Sequence, residues 1–585
     1  MRWKVVIVAA TAFVVLPLGS VPARAAAEPD VLLVAMPAAQ ARAFLEGAAL
    51  GLGVFPASRS GEDFLAEIAA GAPWRTSGRA LGGYPGRVGD VLRDRCVRVE
   101  TLSEPGSPGA ALVATFVRPG TPCPSEIGRL TVASVASAAS ARGLAAARTS
   151  VFVVGVAPRT PLTVGVIGIP GVLSGGIAAR AGVATPYDLA ASVLASLGIR
   201  GARGVIGVPL KVAATADAAA RIDALSFRML RDASYGPGLA WATAVAGVLG
   251  CVIAFFALRR RRNRVAAALA RAASIVPAGY VAALFVPSAR WEVRAVVVLA
   301  TFAAGGVWPA RNTRRFCGRA LVGTAAVVAV LAAVAAMRPD AEPALSLWGD
   351  PLNSWRFFGL RNHLAAFVAG GAVAGAALLG VSARVLVVAG LAGAVVVGAP
   401  QLGANFVAVF TLVLGAGVAV GIRSSGKVRV PHLAVAGVAA VAGFGLALVA
   451  DARTPVSHGG RALNTVRSGG ARAAWRFIAD RAALDYREVA SGGVAGFAGF
   501  AGVAVVLVAL FVWAARTHAA PSQVRAAVAG GAVAAFAALF VEDSGFFTGA
   551  ILALYPAVAW LSWSAGEDAG VGVSSARAPT RTSAV

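Results

Sequence analysis

The sequence predicts an α/β exported domain with a mostly parallel sheet, followed by an all-α polytopic transmembrane bundle of about 11 helices. The 585 residues are 58% hydrophobic and only 14% charged, with a mean hydropathy of +0.75; charged residues are about a quarter of a typical soluble chain. Residues 237–258 form an apolar run of membrane-spanning length, and five arginines follow within 259–264. Such a run with a basic end is typical of a stop-transfer helix.

Residues 1–27 have the three parts of a secretory signal peptide. A basic start, Arg2 and Lys4, precedes an apolar run over 5–18, and Ala23-Arg24-Ala25 then provides a small-residue cleavage site. We expect cleavage after Ala25, which exports the residues that follow.

Residues 28–236 are expected to form the exported α/β domain. Buried strands are predicted at 31–36, 151–156, 162–169 and 204–208, with helices between and after them at 38–50, 61–70, 86–94, 186–198 and 214–231. This alternation favours a mostly parallel sheet covered on both faces. Cys96 and Cys123 lie in this exported part, where oxidising conditions permit a disulfide between them; two buried thiols are the alternative.

Residues 237–563 are expected to form the membrane bundle. The predicted spans are 238–258, 266–286, 292–309, 320–337, 364–383, 385–399, 405–421, 432–450, 496–514, 526–541 and 546–563. Alternating these spans places several groups of basic residues on one side, which the positive-inside rule assigns to the cytoplasm. These are Arg311, Arg314, Arg315 and Arg319, then Arg384, then Arg423, Lys427 and Arg429, then Arg516 and Arg525. The tail 564–585, rich in small and polar residues, is then cytoplasmic and disordered.

Several motifs resemble known families. The stretch 171–198, in which Asp188-Leu189 starts a helix leading to Leu197-Gly198, resembles the late segment of alkaline-phosphatase-superfamily domains. The segments 356–362, 398–405, 457–461 and 542–545 resemble motifs of a largely uncharacterised, mainly actinobacterial family of polytopic membrane proteins that carry an alkaline-phosphatase-like exported domain. The resemblance implies that fold for residues 28–236.

The exported domain departs from the phosphatase pattern at its metal site. All four histidines, His363, His432, His458 and His518, lie outside it, and Met36-Pro37 stands where the superfamily has a metal-binding Asp. Two-metal phosphatase chemistry needs carboxylates and imidazoles, so we expect a degenerate domain without metal or other cofactor. Asp188 is then interpreted as a helix-start residue. In the membrane half, His363 replaces the acidic residue of the related motif.

Six polar residues are expected at one outward-facing level of the bundle. The candidate ligand-binding residues are Arg356, Asn362, Asn405 and Arg461, and the candidate catalytic residues are His458 and Asp543. Ionisable groups at membrane depth are costly and suggest a functional cavity; ordinary loop capping and solvation are the alternative. Arg271, within the second predicted span, is assigned no role beyond snorkelling to the inner surface.

Three functions remain open at this level. The first is a non-enzymatic envelope protein that binds or handles an anionic envelope lipid or polymer, with an envelope protein as a further possible partner. The second is a membrane transferase or ligase acting on lipid-linked glycans at the outer leaflet, and the third is a transporter. The net charge of +26 does not indicate nucleic acid, because basic residues are not interleaved with stacking aromatics.

Overall fold

The computed structural model describes the strands of the N-terminal part and nearly all of the helical part. The described ranges are 30–37, 50–55, 97–103, 128–134, 150–156, 162–167, 171–174, 181–200, 208–215, 217–287, 290–338, 359–452, 493–542 and 545–567, with a few single positions between them.

The N-terminal part contains an eight-stranded mixed sheet. Its strands are β1 (Asp30–Pro37), β2 (Leu50–Phe55), β3 (Val97–Ser103), β4 (Gly128–Ser134), β5 (Ser150–Val156), β6 (Leu162–Ile167), β7 (Gly171–Ser174) and β8 (Lys211–Ala213), in the order β3-β4-β1-β5-β6-β2-β7-β8. Four pairings are parallel and three, those of β6 with both neighbours and of β7 with β8, are antiparallel. Parallel pairs are therefore a narrow majority.

Three of the four predicted strands coincide with β1, β5 and β6, whereas the fourth, 204–208, lies almost wholly outside the described residues. The predicted helix over 38–50 is wrong at its end, because Leu50 begins β2. Its sequence Leu-Gly-Leu-Gly-Val-Phe has apolar side chains at alternate positions, the period of a strand. The predicted helix over 61–70 and both exported cysteines, Cys96 and Cys123, lie outside the described residues.

Helix α1 (Pro186–Ser196) confirms the helix-start role of Asp188. Thr185 and Asp188 form a capping box: the Thr185 hydroxyl accepts from the Asp188 amide, and the Asp188 carboxylate accepts from the Thr185 amide. The second carboxylate oxygen accepts from the amide of Val208 at 3.0 Å. Asp188 is fully buried, so its oxygens hold the chain around this helix.

One long helix, α2 (Ala218–Arg259), replaces two predicted elements. The predicted helix over 214–231 and the predicted span that starts at Pro237 are continuous, and 42 residues correspond to about 63 Å. The helix continues through Pro237; a proline removes one backbone hydrogen bond, and membrane helices tolerate that loss. The predicted domain boundary at 236/237 falls inside this helix.

Ten further helices follow at the positions of the remaining predicted spans. They are α3 (Asn263–Leu284), α4 (Trp291–Val307), α5 (Thr313–Met337), α6 (Asn362–Leu378), α7 (Ala383–Gly398), α8 (Phe406–Ser425), α9 (Val430–Ala452), α10 (Gly493–Arg516), α11 (Ser522–Val541) and α12 (Gly545–Glu567). Of the described helices, eight are long and apolar enough to cross a membrane; α4, α6 and α7 are shorter. A π-helical turn, Gly371–Gly375, interrupts α6, and α12 continues into the predicted tail.

Helix α11 lies at the centre of the bundle, and α9 and α10 lie at its edge. In α11, 72% of the apolar segment is buried, against 11% in α9 and 6% in α10. Helices α8 and α11 approach closely because a Cβ on Gly415 would lie 2.7 Å from the Gly530 carbonyl oxygen. Exposed valines, leucines and phenylalanines cover the outer faces, as lipid contact requires.

Buried or half-buried arginines bind backbone carbonyls near the C-termini of neighbouring helices. Arg423 of α8 donates to the carbonyls of Gly380 and Val381, just after α6, and to the Ser522 hydroxyl. Arg525 of α11 donates to the Ala514 and Gly426 carbonyls. Arg271, which the sequence left without a role, donates to the Gly306 carbonyl and to Thr313. Terminal carbonyls have no partner within their own helix, so these arginines stabilise the bundle.

These contacts also show that alternate connections between helices lie at the same end of the bundle, as expected when successive helices run in opposite directions. The connections around Arg271, Arg423 and Arg525 lie together at one end of the bundle, which we call the Arg423 end. The opposite end contains Asn362 and Asn405 and is called the Asn405 end. The basic connections 260–262, 308–312, 379–384, 423–429 and 516–525 all belong to the Arg423 end.

Candidate polar site

Two of the motifs singled out in the sequence meet at the Asn405 end. The Leu360 amide donates to the Gly403 carbonyl at 2.9 Å. The approach is so close that a Cβ on Gly359 would lie 2.2 Å from the same oxygen, and Gly359 has φ +85°. A residue with a side chain fits neither that space nor that backbone conformation. The glycine therefore allows residues 359–363 to lie against the α7–α8 connection.

Asn405 joins the two motifs through its side chain. Its Oδ1 accepts from the Ala408 amide at 3.0 Å and caps α8, while its Nδ2 donates to Asn362 Oδ1 at 3.2 Å. Its backbone amide donates to Val397, and only 1% of the residue is exposed. Asn405 thus orients Asn362 and the start of α6 from within the protein.

Arg361, which precedes α6, is a buried cation beside this pair. It lies next to α2, since a Cβ on Gly236 would lie 3.5 Å from its Nη1. Its carbonyl accepts from Ala365 and starts α6. Burying a guanidinium costs free energy unless hydrogen bonds or an anion compensate. Arg361 is therefore a candidate residue for binding an anion.

A histidine that the sequence did not assign lies directly after Asn362. His363 Nε2 is 2.5 Å from the Tyr280 hydroxyl of α3. The imidazole packs edge-on against the rings of Phe367 and Phe547. A phenol bonded to an imidazole can transfer a proton between them, and this pair lies within the described cluster.

Arg294 is a second buried cation at this end, also unassigned from the sequence. It is fully buried, its guanidinium lies 3.4 Å from the Tyr235 ring centroid, and Nη1 donates to the carbonyls of Ala283 and Leu284. Those carbonyls lie at the C-terminal end of α3 and Tyr235 lies in α2, so Arg294 of α4 contacts both helices. A charge four residues into an apolar helix is the signal that identifies it.

Two buried carboxylates complete the described set. Asp451 lies in the last turn of α9, and Glu542 follows the end of α11; both are nearly inaccessible. Glu542 adjoins the predicted site residue Asp543. The described residues at this end of the bundle thus include two buried arginines, two buried acids and the hydrogen-bonded pair of asparagines.

The structure brings together two of the six predicted site residues, Asn362 and Asn405. The other four, Arg356, His458, Arg461 and Asp543, lie outside the described residues, so their convergence stays a prediction. Among the described residues, no group of three or more His, Cys, Asp or Glu has the arrangement of a metal site.

The comparisons add no relative. The chain matches no protein-family model, and no curated protein or solved structure gives a match. The suspected relationship to the actinobacterial membrane family and to alkaline phosphatases therefore stays a prediction. In the part of the chain that the structure describes, eight apolar helices are long enough to span a membrane, and they define the class of protein: this is a multi-pass membrane protein.

Proposed function

We propose that this membrane protein binds an anionic group of an envelope lipid or polymer at the Asn405 end. The observation that carries the proposal is the Asn405–Asn362 hydrogen bond, which fixes the start of α6 with the buried Arg361 beside it. A guanidinium held in place offers two parallel donors to a phosphate or carboxylate. Arg356 and Arg461 are proposed to add further donors from the adjoining connections.

The Asn405 end is proposed to face outward. The connections at the opposite end, 260–262, 308–312, 379–384, 423–429 and 516–525, are basic and contain no Asp or Glu, whereas the long connections at the Asn405 end, 338–361 and 453–492, contain arginines together with Asp and Glu. The positive-inside rule then assigns the Arg423 end to the cytoplasm. An exported N-terminal domain ahead of α2 fits this orientation.

The exported domain is proposed to be phosphatase-like and catalytically degenerate. The supporting observations are the lack of histidine between residues 28 and 236 and the presence of Met36-Pro37 at the end of β1. Zinc and phosphatase assays on the purified full chain test this part. Stoichiometric zinc with chelator-sensitive hydrolysis would overturn it.

A second candidate is a transferase or ligase acting on lipid-linked glycans at the outer leaflet. The observation that favours it is the hydrogen-bonded Tyr280–His363 pair, because glycosyl and acyl transfer to a hydroxyl needs a proton acceptor. His458 and Asp543 are the other candidates for that acceptor. Binding alone does not require such a pair.

Binding of polyprenyl phosphate, compared with the uncharged polyprenol, tests the primary proposal. The two probes share the hydrocarbon chain and differ in the anionic group. Full-length protein in nanodiscs should bind the phosphate in preference, and R361Q should remove that preference, since glutamine keeps polar atoms without the charge. The control R315Q removes an exposed cation at the opposite end. Equal binding of both probes, or an unchanged preference in a folded R361Q variant, would contradict the proposal.

A further inference from the structure

The turn between α2 and α3 concentrates positive charge at the Arg423 end. Residues 259–264, which we call the arginine turn, include five arginines, and all five are exposed. No Asp or Glu lies between residues 233 and 291, and the ion pairs among the described side chains all lie elsewhere. Uncompensated cations at this density attract anions.

Arg261 has a backbone conformation that favours glycine. Its φ is +55°, and it follows α2 in a Schellman motif: the Arg262 amide donates to the Ala257 carbonyl at 2.8 Å, and the Arg261 amide donates to the Leu258 carbonyl at 2.9 Å. Glycine usually occupies this position, because a residue with a Cβ is strained at positive φ. The arginine is therefore present at a cost to local stability.

Two more of these arginines stand where the local structure favours other residues. Arg262 is the N-cap of α3, a position that favours Ser, Thr, Asp or Asn, and its side chain makes no capping hydrogen bond. Arg264 lies in the first turn of α3, where the helix dipole disfavours a cation. The orientation of a membrane protein needs basic residues in such a connection, but it does not need them at these three positions. We infer that an anionic partner outside the chain accounts for them.

Lipid reaches the arginine turn along the last turns of α2. Ile253 and Phe256 are exposed there, and an exposed apolar face on a membrane-spanning helix contacts lipid. The Arg259 guanidinium lies 5.3 Å from the centroid of the Phe255 ring, so it stays beside this face. An apolar surface is thus followed directly by cations, which matches a phospholipid with acyl chains and an anionic head.

We propose that the arginine turn binds the headgroups of anionic phospholipids in the leaflet at the Arg423 end. The guanidinium groups donate to the phosphate oxygens, and the acyl chains lie along Ile253 and Phe256. Clusters of about four to eight basic residues directly after a membrane helix are suited to such headgroups. A soluble polyanion would contact the cations but not the apolar face, so the lipid is the favoured partner.

Native mass spectrometry of the full-length protein in detergent, titrated with phosphatidylglycerol or phosphatidylcholine, tests the proposal. The wild type should bind phosphatidylglycerol more tightly than phosphatidylcholine. The variant R261G/R262S/R264Q places an uncharged residue that suits each position, and it should bind phosphatidylglycerol about 100-fold more weakly, at about fivefold for each charge removed. The matched control R384Q/K427Q/R429Q removes three exposed cations from two other connections at the same end and should retain most of the affinity.

Thermal unfolding provides a second readout with the opposite sign. Without added lipid, R261G/R262S/R264Q should unfold at a higher temperature than the wild type, because glycine fits the positive φ and serine caps α3. Added phosphatidylglycerol should then raise the unfolding temperature of the wild type more than that of the variant, since only bound lipid stabilises the folded state. A lower unfolding temperature of the lipid-free variant would show that these arginines support the fold instead, and it would overturn the proposal.

Two further results would also overturn it: equal affinity of the wild type for both lipids, or equal weakening in the control variant. R361Q, at the opposite end of the bundle, should leave the preference for phosphatidylglycerol unchanged. Loss of the preference in R361Q would place the lipid at the Asn405 end and contradict binding at the arginine turn. The proposed function is tested with polyprenyl phosphate, so failure of one proposal leaves the other testable.

Discussion

The side-chain amide of Asn405 donates a 3.2 Å hydrogen bond to the side-chain oxygen of Asn362 and thereby joins the start of α8 to the start of α6. The two residues are 43 positions apart, and each lies in a motif that the sequence singled out. The same Asn405 side chain caps its own helix through Ala408. Its two roles can be separated by substitution.

N405A should destabilise the protein by about 2 kcal/mol, because it removes an N-cap worth about 1 kcal/mol and a buried hydrogen bond of similar size. N405S keeps a capping oxygen but cannot reach Asn362 in the same way, so it should lose about half as much. Reversible unfolding in mixed detergent micelles measures both. Equal losses in the two variants would show that the cap contributes nothing here.

G359A should destabilise the protein by at least about 2 kcal/mol, since strain and a steric clash act together. The added methyl group would lie 2.2 Å from the Gly403 carbonyl oxygen at a positive φ. The matched control is G437A in the middle of α9, where nothing lies within 4 Å of the new Cβ; it should stabilise by up to about 1 kcal/mol. The same unfolding assay compares them. If G359A unfolds like the wild type, the two motifs do not pack as described.

R294L should destabilise the protein by about 2–4 kcal/mol, because it leaves the carbonyls that end α3 without their donor at membrane depth. R290Q is the control: Arg290 is 77% exposed and pairs with the exposed Glu292, so its loss should change stability by no more than about 0.5 kcal/mol. Unfolding midpoints of both variants decide this. Similar midpoints for R294L and R290Q would refute the role of Arg294 as a helix-end donor.

A fluorescent reporter that folds only in the cytoplasm should be active when it is fused after Val585, and a phosphatase reporter that needs export should be inactive there. The reason is that α12 ends at the Arg423 end, which has the connections that are basic and contain no acid. A reporter inserted after signal-peptide residues, ahead of β1, should show the opposite behaviour. Paired phosphatase and fluorescent reporters in a bacterial host measure both. Periplasmic-type activity at the C-terminus would invert the orientation and place the Asn405 end inside.

Much of the helical part follows from hydrophobic runs alone, because apolar length and basic flanks are local properties. The continuity of α2 did not follow: Gly236-Pro237-Gly238 is typical of a break, yet the helix continues through these residues, with Gly238 against Trp291 and Gly236 close to Arg361. Packing of this kind depends on residues far away in the chain. The strand at Leu50 was missed for a related reason, since its pairing with β6 and β7 is non-local.

The sequence predicted that the site residues lie at the same end of the bundle, but it did not predict which of them contact each other. Alternating spans placed Asn362 and Asn405 at one end, but their hydrogen bond depends on the turn at Gly403 and on the φ of Gly359. Arg294 could have been identified from the sequence, because it is a charged residue inside an apolar helix. His363 was noticed only as a departure from a motif, because its partner Tyr280 is 83 residues away.

The most direct measurement of the central claim is an experimental structure of the full chain in nanodiscs with polyprenyl phosphate. The proposal predicts phosphate density within hydrogen-bond distance of the Arg361 guanidinium or the Asn362 amide, at the end of the bundle opposite Arg423. Density for the phosphate only elsewhere, or an Arg361 guanidinium fully bonded to protein groups with no room for an anion, would contradict it.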